Sequence, residues 1–392
     1  MVTALSTLAM LFGMLAIHPF VTYPLSLLAF ARRAPATRDL GGGPPSVAIC
    51  VSAYNEEAVI LDKVNSLIAM AAHYGNATIH IYVDGASDRT VEILKPFQDR
   101  IDLVVGTERL GKTAGMNLLV QRSESQFLVF TDANVVTPID SISKLVNEFK
   151  DQAVGAVSAR LRYVNAEESI TSNSGAGYWK MQEAVKKIEA RTIGVIGVDG
   201  AMFMIERSLY RPAPAHLIDD LFISLQLMMQ RRVVVSANDL WVEERSATAL
   251  GDEMRRKSRI ACQAINVHRA IWPELKRAPI GPLYGYLSHR LLKWLLPYSL
   301  AIAALLALVA LTLTFGQIVP VLAIAGVCLS ALAALLGFKP ARFIWISAGL
   351  LYAVAIGVAQ GFLSRMTYTT WSPAGSIRAS ASTGPAETGS GR

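Results

Sequence analysis

Two kinds of hydrophobic pattern divide the chain. Residues 4–31 and 295–364 are almost uninterrupted apolar stretches, and a helix needs about 20 such residues to cross a bilayer. Between them, residues 46–249 alternate short apolar runs of strand length with stretches of helical spacing. Strands that alternate with helices indicate βαβ units and a mostly parallel sheet. The pattern therefore predicts an α/β domain flanked by transmembrane helices.

Within the α/β stretch, apolar runs bounded by polar turns predict strands, and a spacing of three to four residues predicts helices. We predict strands at residues 47–53, 78–83, 101–105, 127–131, 154–159 and within 194–205. We predict helices at residues 57–72, 90–97, 112–121, 174–190, 220–231 and 254–271.

The apolar ends predict four membrane spans. The first is a single helix within residues 1–31, and three more lie within residues 295–364. A signal peptide is the alternative for residues 1–31, but no basic start or clear cleavage site supports it, so we expect an uncleaved anchor. Arg32 and Arg33 follow at once, which favours a cytoplasmic position for what comes next.

The later spans follow a basic amphipathic stretch at residues 275–294, which predicts a helix lying at the membrane interface. With the domain at residues 46–274 inside the cell, one span before it and three after it put both termini outside. Arg365 and Arg378 argue mildly against that position for the tail. Residues 376–392 are rich in Ser, Ala and Gly and are expected to be disordered.

Composition supports a membrane protein and excludes several other classes. Of the 392 residues, 52% are hydrophobic and only 17% are charged. The net charge is +7, and Lys and Arg residues cluster beside the apolar ends. Basic residues at these positions fit anionic membrane lipids, and no aromatic-interleaved basic stripe indicates nucleic-acid binding. The three cysteines show no metal or disulfide spacing, which favours a reducing compartment. We therefore expect a multi-pass protein of the inner (plasma) membrane with a cytoplasmic domain.

Polar side chains follow the predicted strands. Tyr54 and Glu56 come after the first strand, Asp84 after the second, and Asp132 and Asn134 after the strand at 127–131. In an open α/β sheet, ligands bind beyond the carboxyl ends of the strands. Residues i and i+2 of an extended chain point to one side, so the last two could hold a hydrated divalent cation with its phosphates. Taken alone, this stretch fits equally a strand followed by an Asp-containing turn.

Lys112 lies between these acids at a predicted helix start, where a lysine can neutralise phosphate. Neither a Walker loop nor a dinucleotide-binding GxGxxG is present. Acids at successive strand ends together with this lysine indicate a nucleotide site of another kind.

In this order, the motifs resemble those of membrane-embedded family 2 glycosyltransferases with a GT-A fold. The resemblance covers residues 46–296 and implies a nucleotide-sugar donor, a divalent cation (Mg²⁺ or Mn²⁺) and a sugar acceptor. It is carried by Ser-Ala-Tyr-Asn-Glu-Glu at 52–57, Asp-Gly-Ala-Ser-Asp at 84–88, Gly-Lys-Thr-Ala-Gly-Met-Asn at 111–117, Thr-Asp-Ala-Asn at 131–134, Asp-Gly-Ala at 199–201, Ile-Asp-Asp-Leu at 218–221 and Arg-Lys-Ser-Arg-Ile at 256–260.

The resemblance also implies roles for single residues. Asp220 would be the general base, although Asp219 or Asp220 could instead only cap a helix. Arg256 and Arg259 would face the diphosphate leaving group and the acceptor. The remaining implied positions are Tyr54, Glu56, Asp84, Lys112 and Asp132 for the donor, Asp132 and Asn134 for the metal, and Asp199, Gly200 and Asp219 for the acceptor.

Two positions depart from the family pattern. Asn134 stands where a second Asp is expected and brings no charge, and Ile260 replaces the Trp that would pack against an acceptor sugar. These departures weigh against a processive synthase of the cellulose or hyaluronan kind. We predict an inverting transferase acting on a lipid-linked or polysaccharide acceptor in surface polysaccharide synthesis. The alternatives are a processive synthase with its own translocation path and a non-catalytic nucleotide-binding membrane scaffold.

Overall fold

The computed structural model of the chain describes residues 1–165, 170–246 and 248–370. For residues 170–180 it describes the backbone alone. Its strands are β1 (Val47–Ala53), β2 (Ala77–Asp84), β3 (Asp102–Gly106), β4 (Phe127–Thr131), β5 (Val154–Tyr163), β6 (Met202–Glu206) and β7 (Val233–Glu244). Within the described residues they form one sheet of seven strands in the order β3-β2-β1-β4-β6-β5-β7. β6 runs antiparallel to β4 and β5, and the other pairings are parallel. The mostly parallel α/β sheet predicted from the sequence is confirmed.

Helices surround this sheet and continue beyond it. They are α1 (Val2–Ile17), α2 (Thr22–Leu27), α3 (Ile60–Tyr74), α4 (Thr90–Leu94), α5 (Lys112–Arg122), α6 (Ser141–Glu148), α7 (Ile170–Arg191), α8 (Asp219–Met229), α9 (Leu250–Leu275), α10 (Ile280–Gly285), α11 (Leu292–Phe315), α12 (Ile318–Leu335) and α13 (Lys339–Ala359).

Strand β4 lies at the centre of the domain. Phe127 and Val129 pack into the core on the face covered by α3 and α6, while Leu128 and Phe130 pack on the opposite face with α5 and α8. This alternation is the two-residue period of an extended strand, and burial on both faces explains why the run is apolar throughout. β1, β2 and β4 are parallel, so their carboxyl ends meet at one edge.

The predicted strand bounds agree with β1 and β4 and differ by a few residues elsewhere. The stretch 194–205 is a strand only in β6, because Gly194 and Gly197 adopt φ angles of 89° and 103° that interrupt extended backbone. Strand β7 and helix α6 were not predicted.

The N-terminal segment differs from the predicted single span. Helix α1 has 16 residues, about 24 Å, which is shorter than the roughly 30 Å hydrocarbon layer. The helix ends before Pro19, and Pro24 cannot donate the backbone hydrogen bond of a continuing helix. In α2, Tyr23 is fully buried and donates a 2.6 Å hydrogen bond from Oη to Glu189. The prediction of one continuous helix in residues 1–31 is therefore wrong.

Three helical stretches in the described residues are long and apolar enough to cross a membrane: Ile280–Phe315, Ile318–Leu335 and Lys339–Ser364. The predicted interfacial helix at residues 275–294 is not a separate element, because its second half continues without a break into α11. His289 in that half is buried inside the protein, 2.6 Å from Glu189. The predicted disordered residues 376–392 lie outside the described residues.

Candidate active site

The loops after β1 and β2 form one wall of the site. The buried Asp84 carboxylate accepts hydrogen bonds from the backbone N–H of Leu110, at 2.7 Å, and of Gly111, at 3.0 Å. The guanidinium of Arg109 stacks 3.5 Å above the ring of Tyr54. Asp84 and Tyr54 are thus fixed to the same loop, residues 109–111. Their predicted contacts with base and ribose stay predictions.

Glu56 lies at the edge of this wall. Its backbone N–H donates a 2.8 Å hydrogen bond to Oγ1 of Thr90, at the start of α4. The predicted donor contact of its carboxylate also stays a prediction.

Gly111 is the point where this loop meets the C-terminal segment. Its φ of +91° is strained for any residue with a side chain, and a Cβ there would overlap the carbonyl oxygen of Thr369. Two further hydrogen bonds hold this segment on α9, from Asn266 Nδ2 to Met366 O at 2.8 Å and from Gln263 Nε2 to Tyr368 O at 3.1 Å. Residues 366–369 therefore lie against the catalytic domain, whereas three complete crossings after the domain would put them on the other side of the membrane.

Lys112 and Asp132 form the centre of the site. Lys112 Nζ donates a 2.6 Å hydrogen bond to Asp132 Oδ1. Burial opposes the charge of Lys112, but the carboxylates of Asp132, Asp219 and Asp220 outweigh it and raise the lysine pKa. The lysine is therefore a cation held among three acids, two of which were predicted to act on the acceptor side.

A second lysine, which the sequence reasoning missed, bonds to the residues on either side of Asp132. Lys63 on α3 is 4% exposed, and its Nζ donates to Thr131 Oγ1 at 3.1 Å and to Val135 O at 2.7 Å. The two acceptors flank the motif that carries Asp132. Lys63 thereby fixes both ends of that short segment. Its position in an amphipathic helix gave no signal that it is buried.

Asn134 contacts a residue that was also missed. Its Nδ2 donates a 3.2 Å hydrogen bond to Oε1 of Glu244, at the end of β7. Burial raises the pKa of Glu244 to about 7; Arg256 opposes the rise, and the nearby carboxylates of Asp132 and Asp199 add to it. A strand prediction over residues 233–244 would have identified this carboxylate as a strand-end acid like the others.

The segment 199–201 joins the site through β6. Thr131 pairs with Met202 in the antiparallel register, and the N–H of Asp132 donates to Ala201 O at 3.3 Å. Asp199 lies 3.7 Å from Lys186 Nζ in a buried ion pair. The β4–β6 pairing therefore explains why the predicted acceptor residues Asp199 and Gly200 lie next to the predicted metal residues.

Asp219 and Asp220 open helix α8, and helix α5 holds the preceding segment in place. Thr113 Oγ1 donates to Leu217 O at 3.0 Å. The pKa of Asp220 is raised well above the ordinary carboxylate range by burial and by the neighbouring charge of Asp219, which outweigh the opposing Lys112. Its Oδ1 accepts from the N–H of Leu221 at 2.5 Å, while Oδ2 faces Gly200, where a Cβ would lie 3.1 Å away.

The two arginines on α9 face different parts of the site. Arg256 forms a two-point ion pair with Glu253 of its own helix, at 2.9 and 3.1 Å. Arg259 donates to Gln263 at 3.0 Å, and burial together with Arg256 lowers its pKa to about 10 against the opposing acids Asp220 and Asp132. The carboxylates of Asp220, the predicted base, and Asp132, a predicted donor-site residue, therefore both act on Arg259. The predicted catalytic roles of both arginines stay predictions.

The donor set fits a hard divalent cation that shares its ligands with a diphosphate. Asp132 and Glu244 offer carboxylate oxygens and Asn134 offers an amide oxygen. Oxygen atoms are the ligands that Mg²⁺ and Mn²⁺ take. Within the described ranges, no group of three or more His, Cys, Asp or Glu side chains is placed to hold a metal ion alone. Phosphate oxygens would therefore have to complete the coordination.

Comparisons with known proteins place most of this domain in a known family of enzymes. Residues 48–212 match the family model described as Glycosyl transferase family 2. An N-acetylglucosaminyltransferase of Rhizobium sp. (strain N33) is 27% identical over 184 residues, which is 45% of this chain and 40% of the relative. The beta-monoglucosyldiacylglycerol synthase of Trichormus variabilis (strain ATCC 29413 / PCC 7937) is 29% identical over 147 residues, 36% of this chain and 31% of the relative. The matched region thus spans less than half the length of either relative.

Among solved structures, the mannosyltransferase PcManGT from Pyrobaculum calidifontis, in complex with GDP-Man and Mn²⁺, aligns with a TM-score of 0.70 at 19% identity. The alignment covers 92% of this chain and 100% of that one, which shows a shared fold. Residues 48–212 therefore form a glycosyltransferase family 2 domain of the GT-A fold, in a chain whose described part includes three helices long and apolar enough to cross a membrane.

Proposed function

We propose that this protein is an inverting, metal-dependent glycosyltransferase. It moves a sugar from a nucleotide-sugar, most simply a UDP-sugar, to a lipid-linked or polysaccharide acceptor at the cytoplasmic face of the plasma membrane. The observation that carries the proposal is the position of Lys112, which bonds to Asp132 on the donor side and lies in the field of Asp220 on the other. A phosphate-neutralising cation and a carboxylate with a raised pKa are thereby close to each other at one sheet edge.

The donor side explains how the leaving group is stabilised. When the bond between the anomeric carbon and the diphosphate oxygen breaks, the electron pair stays with the diphosphate. Lys112 and Arg259 supply fixed positive charge beside the position where this charge develops. A divalent cation bound with the diphosphate supplies further charge stabilisation.

The acceptor side requires a base. The acceptor hydroxyl oxygen bonds to the anomeric carbon from the face opposite the leaving group, and its proton passes to Asp220. Oδ2 is the suitable atom, because Oδ1 already accepts the Leu221 N–H, and Gly200 leaves Oδ2 open for lack of a side chain. A raised pKa improves a carboxylate as a base near neutral pH. A single displacement of this kind inverts the anomeric configuration.

The test uses the purified full-length protein in detergent with a panel of UDP- and GDP-sugars and lipid-linked acceptors, and it measures nucleoside diphosphate release. We expect release with at least one donor. Asp220→Asn should lower turnover roughly 10²- to 10⁴-fold while nucleotide affinity is retained. Release from no donor would contradict the proposal, and full turnover by Asp220→Asn would remove this residue as the base.

A further inference from the structure

We propose that Glu244 is a third member of the cation site and supplies the negative charge that Asn134 lacks. The inference rests on the proposed function, because the cation is the one that would bind with the donor diphosphate. It assigns a ligand-binding role to a residue at the end of β7, far in sequence from the motif at 131–134.

Backbone geometry fixes Glu244 beside the motif. Val136 and Glu243 form an antiparallel bridge with both hydrogen bonds made, Val136 N to Glu243 O at 2.9 Å and Glu243 N to Val136 O at 3.0 Å. The Glu244 carbonyl also accepts from the N–H of Val164 at 3.1 Å. The backbone of Glu244 is therefore held by hydrogen bonds to two neighbouring segments, and this fixed backbone places its carboxylate beside the Asn134 amide.

The contact between the two side chains orients the amide. Asn134 Nδ2 donates to Glu244 Oε1, so the amide oxygen of Asn134 must point away from that carboxylate oxygen. Asn134 Oδ1 and Glu244 Oε2 take no part in this bond, so each side chain has one oxygen left to offer a cation. With Asp132, this gives two carboxylates and one amide oxygen, the same formal charge as a motif with two aspartates.

The surrounding charges support a cation at this position. The basic residue that acts most strongly on Glu244 is Arg256, whose guanidinium is also engaged by both carboxylate oxygens of Glu253, while Lys112 bonds to Asp132 Oδ1. Glu244 also has the carboxylates of Asp132 and Asp199 as electrostatic neighbours. A divalent cation would relieve the repulsion among these carboxylates.

The test measures metal binding directly, apart from activity. The full-length protein in detergent is titrated with Mn²⁺ in the presence of UDP and, in parallel, GDP, and free Mn²⁺ is followed by its electron paramagnetic resonance signal. We expect Glu244→Gln to weaken Mn²⁺ binding about tenfold or more. The affinity for nucleotide without metal should not change. The matched control is Glu243→Gln, since that side chain is 43% exposed and lies 3.7 Å from Arg162.

A second variant separates charge from local structure. Asn134→Asp in the Glu244→Gln background moves the charge back into the motif and should restore most of the lost Mn²⁺ affinity. Equal Mn²⁺ affinity in wild type, Glu244→Gln and Glu243→Gln would overturn the inference and leave the proposed function standing. Failure of the double variant to recover affinity would also overturn it. Absence of any Mn²⁺-dependent nucleotide binding by the wild type would overturn both proposals.

Discussion

Lys112 at the start of α5 donates a 2.6 Å hydrogen bond to Asp132 beyond the end of β4. The same ammonium group opposes the rise in the pKa of Asp220 that burial and Asp219 cause. The proposed donor and acceptor sides of the site are therefore electrostatically coupled through one side chain. Removing its charge should be felt at the base as well as at the donor.

Lys112→Met should shift the pH dependence of turnover. Asp220 acts as a base only when deprotonated, so the wild-type rate should rise with pH through a pKa above the ordinary carboxylate range. Without the lysine charge that pKa rises further, and the rising limb should move to higher pH. The measurement is turnover at saturating donor from pH 5 to 9. A limb that stays in place would show that Lys112 does not influence the base.

Gly200→Ala should impair turnover more than donor binding. The added Cβ would lie 3.1 Å from Asp220 Oδ2, a contact tight enough to displace the carboxylate. We expect turnover to fall about tenfold or more, since small displacements of a catalytic group have effects of this size. Gly251→Ala is the matched control, because its Cβ would lie at an ordinary 3.8 Å from Arg255. Equal turnover of the two variants would contradict the proposed access to Oδ2.

Gly111→Ala should release the C-terminal segment from the donor loop. The new Cβ would overlap Thr369 O in addition to the strain of a positive φ. Hydrogen exchange of residues 366–370, followed by mass spectrometry, should therefore increase. Gly75→Ala supplies the comparison, because Gly75 has a similar φ of +83° with nothing within 4 Å. If both variants leave this exchange unchanged, the segment is not held at Gly111.

Arg259→Gln should reduce turnover by about a hundredfold if the guanidinium stabilises the leaving diphosphate. The carboxylates of Asp220 and Asp132 both act on the pKa of Arg259, so its guanidinium lies between the proposed base and the proposed donor site. Arg255→Gln on the same helix should have little effect, because that side chain is 78% exposed and pairs with Asp252. A similar loss in both variants would indicate damage to α9 and not lost catalysis.

The sequence was most informative where one local pattern determines one position. Asp84 ends strand β2 and Asp132 follows strand β4, so both lie at the carboxyl edge of the sheet, where the sequence predicts them. Lys112 begins α5, as its place in the sequence predicts, and its ammonium group contacts Asp132. Parallel strands bring such positions together whatever the rest of the chain does.

Other positions depend on pairings that no local pattern reveals. β7 mixes polar and apolar residues and pairs with β5 through two irregularities in register, so Glu244 did not stand out as a strand end. The sequence around Lys63 is typical of an exposed lysine on an amphipathic helix. Lys63 is buried because α3 packs beside Val135. The break at residues 18–21 follows from two prolines that a simple count of apolar residues ignores.

The contact between Thr369 and Gly111 also limits how the chain can be threaded through a bilayer. The polypeptide packs on the catalytic domain as far as His289, leaves it with α11 and returns to it at Thr369, so it must traverse the membrane an even number of times in between. Of the three apolar helices, α13 runs lengthwise along α9, with Gly349 near Met254 and Gly357 against Ser258. We therefore expect α11 and α12 to form a two-pass hairpin and α13 to lie flat beneath the catalytic domain, with residues 366–369 on the catalytic face.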